Sequence, residues 1–390
     1  MSVVIAGYAR TPFARFRGTL AHLPATQLGA YAMQAALQNA GVAAESVDFV
    51  YGGQVLQAGA GQNPARQAAL LAGIPLTVPA ITLNAVCLSG MLAVIEGVRL
   101  IDSGQANVVV AVGQESMTLA PHALPGSRLG ARYGAMELID TLETDGLTDA
   151  FEHTSMGELT ERFNATLGLT RTAQDRWAAR SHQTAASSVS FLAGEITGIE
   201  TRRRTEPTRV LTDDGIRPET TAERLGDLRN AFHHYGTITA GNASQITDGA
   251  AAIVLVSEDR SASLTPIARV LSHAIVAGPD LSLQTQPAAA ITRALQHINA
   301  STSDITAAEI NEAFAAVAVH STRELGIDPE LVNPHGGAIA LGHPIGASGT
   351  RIVGHLARRL AARGAGGLGA AGICGGGGQG AAIVLERHLP

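Results

Sequence analysis

Residues 81–91 read Ile81-Thr-Leu-Asn-Ala-Val-Cys-Leu-Ser-Gly-Met91. A β-branched, apolar run breaks into small residues, and a helical pattern opens at Ser89-Gly90 and continues to Asp102. A second strand-like run follows at Val108–Val112. Strand, turn, helix and strand in this order form the repeating unit of layered α/β folds. The alternation extends along the chain: Val3–Ile5 and Val47–Tyr51 read as strands, Leu28–Asn39 and Ala288–Ile298 as helices. The order of parts also recurs. Ser348-Gly349 opens a helical stretch ending near Gly364, followed by the apolar run Gly367–Ile373. A true internal repeat would place Cys87 and Gly342-His343 in equivalent loops at a sheet edge, where α/β folds bind ligands. The competing reading is that alanine-rich helices resemble one another.

Composition narrows the function. The chain has 390 residues, enough for two to three domain-sized units, and 46% of them are apolar. The net charge of −6 points away from nucleic acid and from anionic membranes. All 27 basic residues are arginine. The absence of lysine excludes Schiff-base chemistry, pyridoxal anchoring and a Walker-type phosphate loop. Two cysteines are too few for a disulfide framework, and the N-terminal Met-Ser-Val-Val-Ile-Ala-Gly does not read as a secretory signal. No uncharged 18-residue apolar run reads as a membrane span. A reducing cytoplasm is the expected setting.

The two thiols carry the chemistry. Cys87 is either an inert core thiol or a nucleophile, and the helix start that follows it favours thiolate through the positive end of the helix dipole. Cys374 lies in Gly372-Ile-Cys-Gly-Gly-Gly-Gly-Gln-Gly380, read as a loop with almost no side chains to cover the sulfur. The run Gly375-Gly-Gly-Gly-Gln-Gly380 matches G-x-G-x-x-G, but a strand-like run, Ala381–Leu385, follows it where a dinucleotide fingerprint requires a helix. Asn333-Pro-His-Gly-Gly-Ala-Ile-Ala-Leu-Gly-His-Pro-Ile-Gly-Ala-Ser-Gly349 holds two histidines at a spacing foreign to zinc. His343 is either a hydrogen-bonded structural histidine or a base open to a ligand. Asn311-Glu-Ala-Phe reads as a helix start with Asn311 as its cap, whose amide is still able to aim at a bound water.

Together these motifs resemble the thiolase family, in this order and at these intervals. The likeness runs nearly end to end and includes Ala9-Arg-Thr-Pro12, Gly146-Leu-Thr-Asp-Ala-Phe151, Thr239-Ala-Gly-Asn-Ala-Ser244 and Asp248-Gly249. It implies an α/β, five-layered αβαβα fold of two similar halves with an inserted loop domain. The expected boundaries are 1–118 with 247–267 for the N-terminal half, 119–246 for the insertion and 268–390 for the C-terminal half. The insertion is more charged than its flanks, contains Arg202-Arg-Arg204 and is expected to cover substrate. The resemblance further implies reversible condensation of an acyl-CoA with acetyl-CoA to 3-oxoacyl-CoA and CoA, within fatty acid and lipid metabolism. Coenzyme A thioesters are then substrates and no separate cofactor is expected. Cys87 would carry the acyl group, His343 would take its proton, Cys374 would exchange a proton with the acetyl α-carbon, and Asn311 would hold a water at the enolate oxygen. The N–H groups of Cys87 and Gly376 would form a second oxyanion hole.

Ser244 matches the residue touching the pantetheine arm, and Arg217 one near the adenine end. Met156, Phe232, Ala313 and Phe314 match residues lining the acyl or pantetheine pocket, and His182 stands where a glutamine often contacts coenzyme A. The stretch from Met117 to Asp140 resembles a tetramer-forming loop, so a homotetramer is expected ahead of a dimer. Two departures bear on substrate: Ser155-Met156-Gly157 replaces the His-Met-Gly of many acetoacetyl-CoA members, and Leu88 replaces the small residue that commonly follows the nucleophile. Two other readings compete, a decarboxylating condensing enzyme and a non-catalytic acyl-CoA-binding protein.

Overall fold

The computed structural model describes residues 2–130, 133–203, 206–363 and 366–387. Arg204, last of the basic triplet, and Gly364, read as a helix end, lie outside these. The first stretch supplies strands β1 (Val3–Arg10), β2 (Ala14–Arg15), β3 (Phe49–Gly53), β4 (Ala80–Leu83) and β5 (Val108–Glu115), with helices α1 (Ala25–Ala40), α2 (Pro64–Leu71) and α3 (Ser89–Asp102). After β5 the chain leaves the sheet. It forms a small hairpin, β6 (His122–Ala123) with β7 (Ile139–Asp140), and then helices α4 (Met156–Asn164), α5 (Arg171–Ser187) and α6 (Val189–Ala193). A second hairpin, β8 (Ile199–Arg203) with β9 (Glu206–Val210), and α7 (Ala222–Gly226) follow. The chain returns at β10 (Thr247–Ser257) and continues through β11 (Ala268–Ala277), α8 (Gln286–Gln296), β12 (Ile305–Ile310), α9 (Ala315–Leu325), α10 (Ala338–Leu341), α11 (Ser348–Ala362), β13 (Leu368–Gly375) and β14 (Gln379–Arg387).

Nine strands share one hydrogen-bonded order, β12-β13-β14-β11-β1-β10-β5-β3-β4, with β2 attached to β10. Strand β1 is buried along its whole length and joins the halves, pairing antiparallel with β10 on one side and β11 on the other. Each half has a parallel part, β3 with β4 and β5 in one and β12 with β13 in the other. Parallel strands need both faces covered, which fits the buried, mostly apolar runs of β5 and β13.

The period-two alternation of strand side chains sorts them into separate cores. In β1, Val3 and Ile5 enter one core while Val4 and Ala6 enter another. In β14, Ile383 and Leu385 join the first core, and Ala382 and Val384 a third. The first core is shared by the halves and contains Met91, Val94 and Ile95 of α3 with Ile352, Val353 and Leu356 of α11. Helix α1 covers the second core and α8 the third. Helices α3 and α11 pack on each other inside the shared core, so their N-termini, and the loops that feed them, lie close together. Among the described residues no helix is long and apolar enough to cross a membrane.

Candidate functional site

Cys87 sits between the end of β4 and the start of α3. The preceding Val86 has φ +51°, a left-handed conformation that a β-branched residue adopts only under strain. Ser89 holds this turn closed: its Oγ accepts from the Ala85 N–H at 2.9 Å and donates to the Val86 carbonyl at 2.6 Å. The thiol is thereby presented on a sharp strand-to-helix corner, partly exposed.

His343 follows α10 on a backbone that only glycine could shape. Gly342 has φ +106°, and a Cβ there would meet Thr247 Oγ1 at 2.4 Å. The His343 N–H donates to that same hydroxyl at 3.1 Å. Nδ1 lies 2.6 Å from Ser348 Oγ, which donates to the Pro344 carbonyl at 3.1 Å. A hydroxyl has one proton and the carbonyl can only accept, so the consistent arrangement has Nδ1–H donating to Ser348 and Nε2 bare. The loop is clasped from the other half by Glu115, whose carboxylate accepts from Gly346 at 2.9 Å as well as from Val55 and Leu56. Burial raises the Glu115 carboxyl to about 7.

Asn311 corrects one expectation. It is not a helix cap: α9 begins at Ala315 with Phe314 as its cap residue, and Asn311 lies in the turn after β12. The turn stays open because Glu312 is tied down by Trp177 Nε1, Ser181 Oγ, Asn333 Nδ2 and the Ile339 N–H. The Asn311 amide nitrogen is 3.5 Å from His343 Nε2, and its Oδ1 is buried without a partner among the described residues. Cys374 corrects a second expectation. It lies near the end of β13, paired with Gly380 of β14, and is 1% exposed rather than displayed in an open loop. The loop comes just after it, where Gly377 and Gly378 turn at positive φ.

All three protonating groups are held neutral. Burial pushes the Cys87 thiol up to about 12; its own backbone N–H opposes this, and the charge of Glu115 adds to it. Burial and the neighbouring Cys87 sulfur push the Cys374 thiol up as well. Burial, helped by Arg351, lowers His343 to about 3. The helix-dipole argument therefore loses to desolvation. Although part of the Cys87 surface reaches the pocket, protein surrounds its sulfur on most sides, and a dipole acting over one turn does not recover that solvation.

Cys87, His343, Cys374 and Gly376 line one pocket with Met156, Ser244, Ala313 and Phe314. Phe232 stands outside it, edge-on to Phe314 with ring centroids 6.1 Å apart. Arg217 and His182 do not line this pocket. They meet each other: the Arg217 N–H donates to His182 Nδ1 at 3.2 Å, and burial lowers the buried imidazole to about 4. His182 thus anchors the strand of chain that carries the exposed Arg217 side chain. Ser155 caps α4, its Oγ accepting from the Glu158 N–H at 3.2 Å. Sequence reasoning missed Ser348 as the partner of His343 and missed Val86, Leu147, Leu283 and Ile345 as lining residues. The available signal was the five-residue spacing from His343 to Ser348, which places the hydroxyl at the first turn of the following helix.

A strained strand-to-helix corner bearing a thiol, a second thiol near the end of β13 and a neutral histidine on the loop before α11 define an acyl-transfer type of site. Comparison with known families is specific. Residues 3–259 match the thiolase N-terminal domain and residues 264–387 the thiolase C-terminal domain. The chain is 50% identical over 390 residues to a protein of Mycobacterium tuberculosis named "Probable acetyl-CoA acetyltransferase", covering 99% of each. It is 45% identical to the acetyl-CoA acetyltransferase of Pseudomonas aeruginosa, again covering 99% of each. Against the acetyl-CoA acetyltransferase of Schizosaccharomyces pombe the identity is 41%, covering 99% of this chain and 98% of the relative. The chain belongs to the thiolase family.

Proposed function

We propose that this protein is an acyltransferase of the acetyl-CoA acetyltransferase kind, joining an acyl-CoA to acetyl-CoA and cleaving 3-oxoacyl-CoA with coenzyme A in reverse. The observation that carries this reading is the convergence of Cys87, Cys374 and His343 on one pocket. Cys87 Sγ would attack the thioester carbonyl while its proton passes to the bare Nε2 of His343. The N–H groups of Cys87 and Gly376 would hold the oxyanion, an effect worth about 3–4 kcal/mol per well-placed donor. The acyl group then rests on Cys87 as a thioester, which divides carbon–carbon bond formation into two easier steps. Cys374 would give its proton to the departing coenzyme A thiolate, and the Cys374 thiolate so formed would take the α-proton of acetyl-CoA. The enolate oxygen would be met by His343 and by a water held on Asn311, whose unpartnered Oδ1 supports that role. The resulting α-carbon attacks the Cys87 thioester, and the Cys87 sulfur, released as thiolate, recovers its proton from His343.

The pantetheine arm is read as passing Ser244, Met156, Ala313, Phe314 and Phe232, with Arg217 toward the adenine end and His182 behind it. The αβαβα layering, the domain boundaries given above and the cytoplasmic setting belong to the same reading. So does a homotetramer, supported by the exposed apolar residues Leu119, Leu129, Tyr133, Met136 and Leu138 in the stretch after β5. The test is direct: purified protein should cleave acetoacetyl-CoA in the presence of coenzyme A and exchange label into acetyl-CoA. Failure of both would sink the proposal. Formation of acyl-Cys87 from acetyl-CoA, detected by mass spectrometry, would separate it from a non-catalytic binding protein.

A further inference from the structure

Helix α11 and strand β12 are joined by a buried ion cluster that takes no part in the chemistry proposed for the cysteine pocket. Glu309, in β12, is fully buried. Three side chains from one stripe of α11, at positions 351, 355 and 359, converge on its carboxylate. Arg359 Nη1 donates to Oε1 at 2.5 Å, Arg351 Nη1 lies 3.5 Å from Oε2, and His355 Nε2 lies 3.8 Å from Oε1. Arg359 also donates to the Ala308 and Leu331 carbonyls, at 2.7 and 3.0 Å. His355 reaches the other way, its Nδ1 2.8 Å from the carboxylate of Glu195, which also accepts from Arg10 Nε at 2.7 Å. Both ends of the cluster lie beside reacting groups. Glu309 is two residues before Asn311. Arg351 is three residues after Ser348, the partner of His343 Nδ1, in the first turn of α11. The Asn311 amide nitrogen and His343 Nε2, 3.5 Å apart, flank the place assigned to the enolate oxygen. We infer that Arg351 and Glu309 are positioning residues: by holding α11 in register on β12 they set the gap between His343 and Asn311. This inference rests on the thiolase reading above.

Stability alone does not account for this pair. Desolvating two charges costs about as much as their attraction gains, and apolar residues of similar volume hold a helix to a strand as well or better. An apolar contact lacks direction, however, and lets a helix slide by a fraction of a turn. A guanidinium facing a carboxylate has a defined place both along the helix and across it. Arg351 is a poor stabiliser in particular: it is 1% exposed, its contact with Glu309 is long, and its Nη2 has no partner among the described residues. Its charge also adds to burial in making the His343 imidazole harder to protonate. Register is the compensating role that the geometry offers. The nucleophile is held by other means. Ser89 closes the Cys87 corner, and Thr247 and Glu115 clasp the His343 loop. Acylation uses Cys87, His343 and Cys374, whereas enolate formation brings in Asn311 beside His343. A loss of register between α11 and β12 therefore falls on the second step.

The experiment compares the wild type with Arg351→Met, which removes the guanidinium, keeps an unbranched apolar chain and leaves Glu309 to Arg359 and His355. Two rates are read: formation of acyl-Cys87 from acetyl-CoA by quenched-flow mass spectrometry, and exchange of the acetyl-CoA α-protons with deuterated solvent. The variant should form acyl-Cys87 at no less than about half the wild-type rate and exchange α-protons about tenfold or more slowly, since a misplacement of about 1 Å can cost about 100-fold. Removing the cation makes His343 a stronger base, so slower exchange would not reflect a weakened one. KM for coenzyme A should hold within about twofold. A purely structural role would lower the urea midpoint and leave both rates of the folded protein unchanged, and exchange within about twofold of wild type would overturn the inference. An equal loss of both rates would overturn it too, by placing Arg351 behind His343 alone. If Arg351→Met does not fold, Arg351→Gln carries the same comparison, and failure of both to fold would overturn the inference by making the residue structural. A wild type that neither acylates Cys87 nor exchanges α-protons would remove the thiolase reading and this inference with it.

Discussion

Replacing Ser348 with alanine isolates the contribution of histidine orientation. Ser348 Oγ accepts the Nδ1–H of His343 at 2.6 Å, and both residues are buried. Without the hydroxyl, an imidazole N–H is left unpaired in the interior, at a cost of about 1–3 kcal/mol. The ring can escape by moving its proton to Nε2. That places a donor where the base must be, 3.5 Å from Asn311 Nδ2, itself a donor. If the tautomer with a bare Nε2 loses about 1.4–2.8 kcal/mol relative to the other, the competent fraction falls about 10- to 100-fold. The loss should appear in kcat for acetoacetyl-CoA thiolysis. KM for coenzyme A should hold, because Ser348 does not line the pocket. Steady-state kinetics gives both constants, and trapping of acyl-Cys87 by mass spectrometry gives the acylation step directly. A kcat within about twofold of wild type would refute the claim that this hydroxyl selects the tautomer.

Four further outcomes are expected. Cys374→Ala should abolish exchange of the acetyl-CoA α-protons with solvent while acyl-Cys87 remains detectable; surviving exchange would remove Cys374 as the base. Asn311→Ala should leave the acylation burst and slow turnover by about 10- to 100-fold, whereas loss of the burst would place Asn311 in the wrong step. Acid should destabilise the fold: His343 is held near 3, and His182 and His335 near 4, so from pH 6.5 down to 3 the unfolded chain binds protons the folded one refuses. His343 alone loses about 2 kcal/mol by pH 5; Glu115, raised to about 7, gains a comparable amount over the same window, so His182 and His335 set the net fall, and a urea midpoint that does not fall between pH 7 and 5 would contradict this. Gly90→Ala should cost about 1–3 kcal/mol by overpacking and lower kcat, since its Cβ would sit 2.6 Å from the Gly346 carbonyl; an unchanged melting temperature and rate would refute that.

What was legible in the sequence was local. The periodicity of 89–102 identifies α3 residue for residue, because an apolar stripe and a small-residue start are both written in contiguous sequence. The boundaries of β1 and β5 extend past the apolar runs first read, because pairing partners distant in sequence lengthen strands that propensity alone would end. The same limit explains the site. Asn311 looks like a cap until Glu312 is seen bonded to Trp177, Ser181, Asn333 and Ile339, all remote in sequence. Cys374 looks exposed among glycines because its cover comes from elsewhere in the fold: its cluster includes Leu283 and Ala316. His182 has no mark in sequence that ties it to the Arg217 backbone. Thiol acidity was unreadable for a related reason. The dipole is a local property of α3, whereas desolvation is set by everything the fold packs around the sulfur.

The precision of the site comes from the junction of the halves more than from its loops. The virtual Cβ of Gly90 on α3 would stand 2.7 Å from Thr350 Oγ1 on α11, and that of Gly349 on α11 would stand 2.4 Å from the Met91 backbone nitrogen on α3. The contact is reciprocal, and it excludes a side chain at position 90 of α3 and at position 349 of α11. Thr350 Oγ1 also donates to the Gly90 carbonyl at 2.9 Å, fixing the helices along as well as across their contact. Cys87 precedes one of these helices and His343 the other, so a backbone contact too close for any methyl sets the distance between nucleophile and base. Such a constraint suits a site whose resting groups are neutral. The thiol and imidazole gain nothing from an ion pair at rest, so the proton must move as the sulfur attacks, and that coupling depends on distance more steeply than attraction between charges already formed.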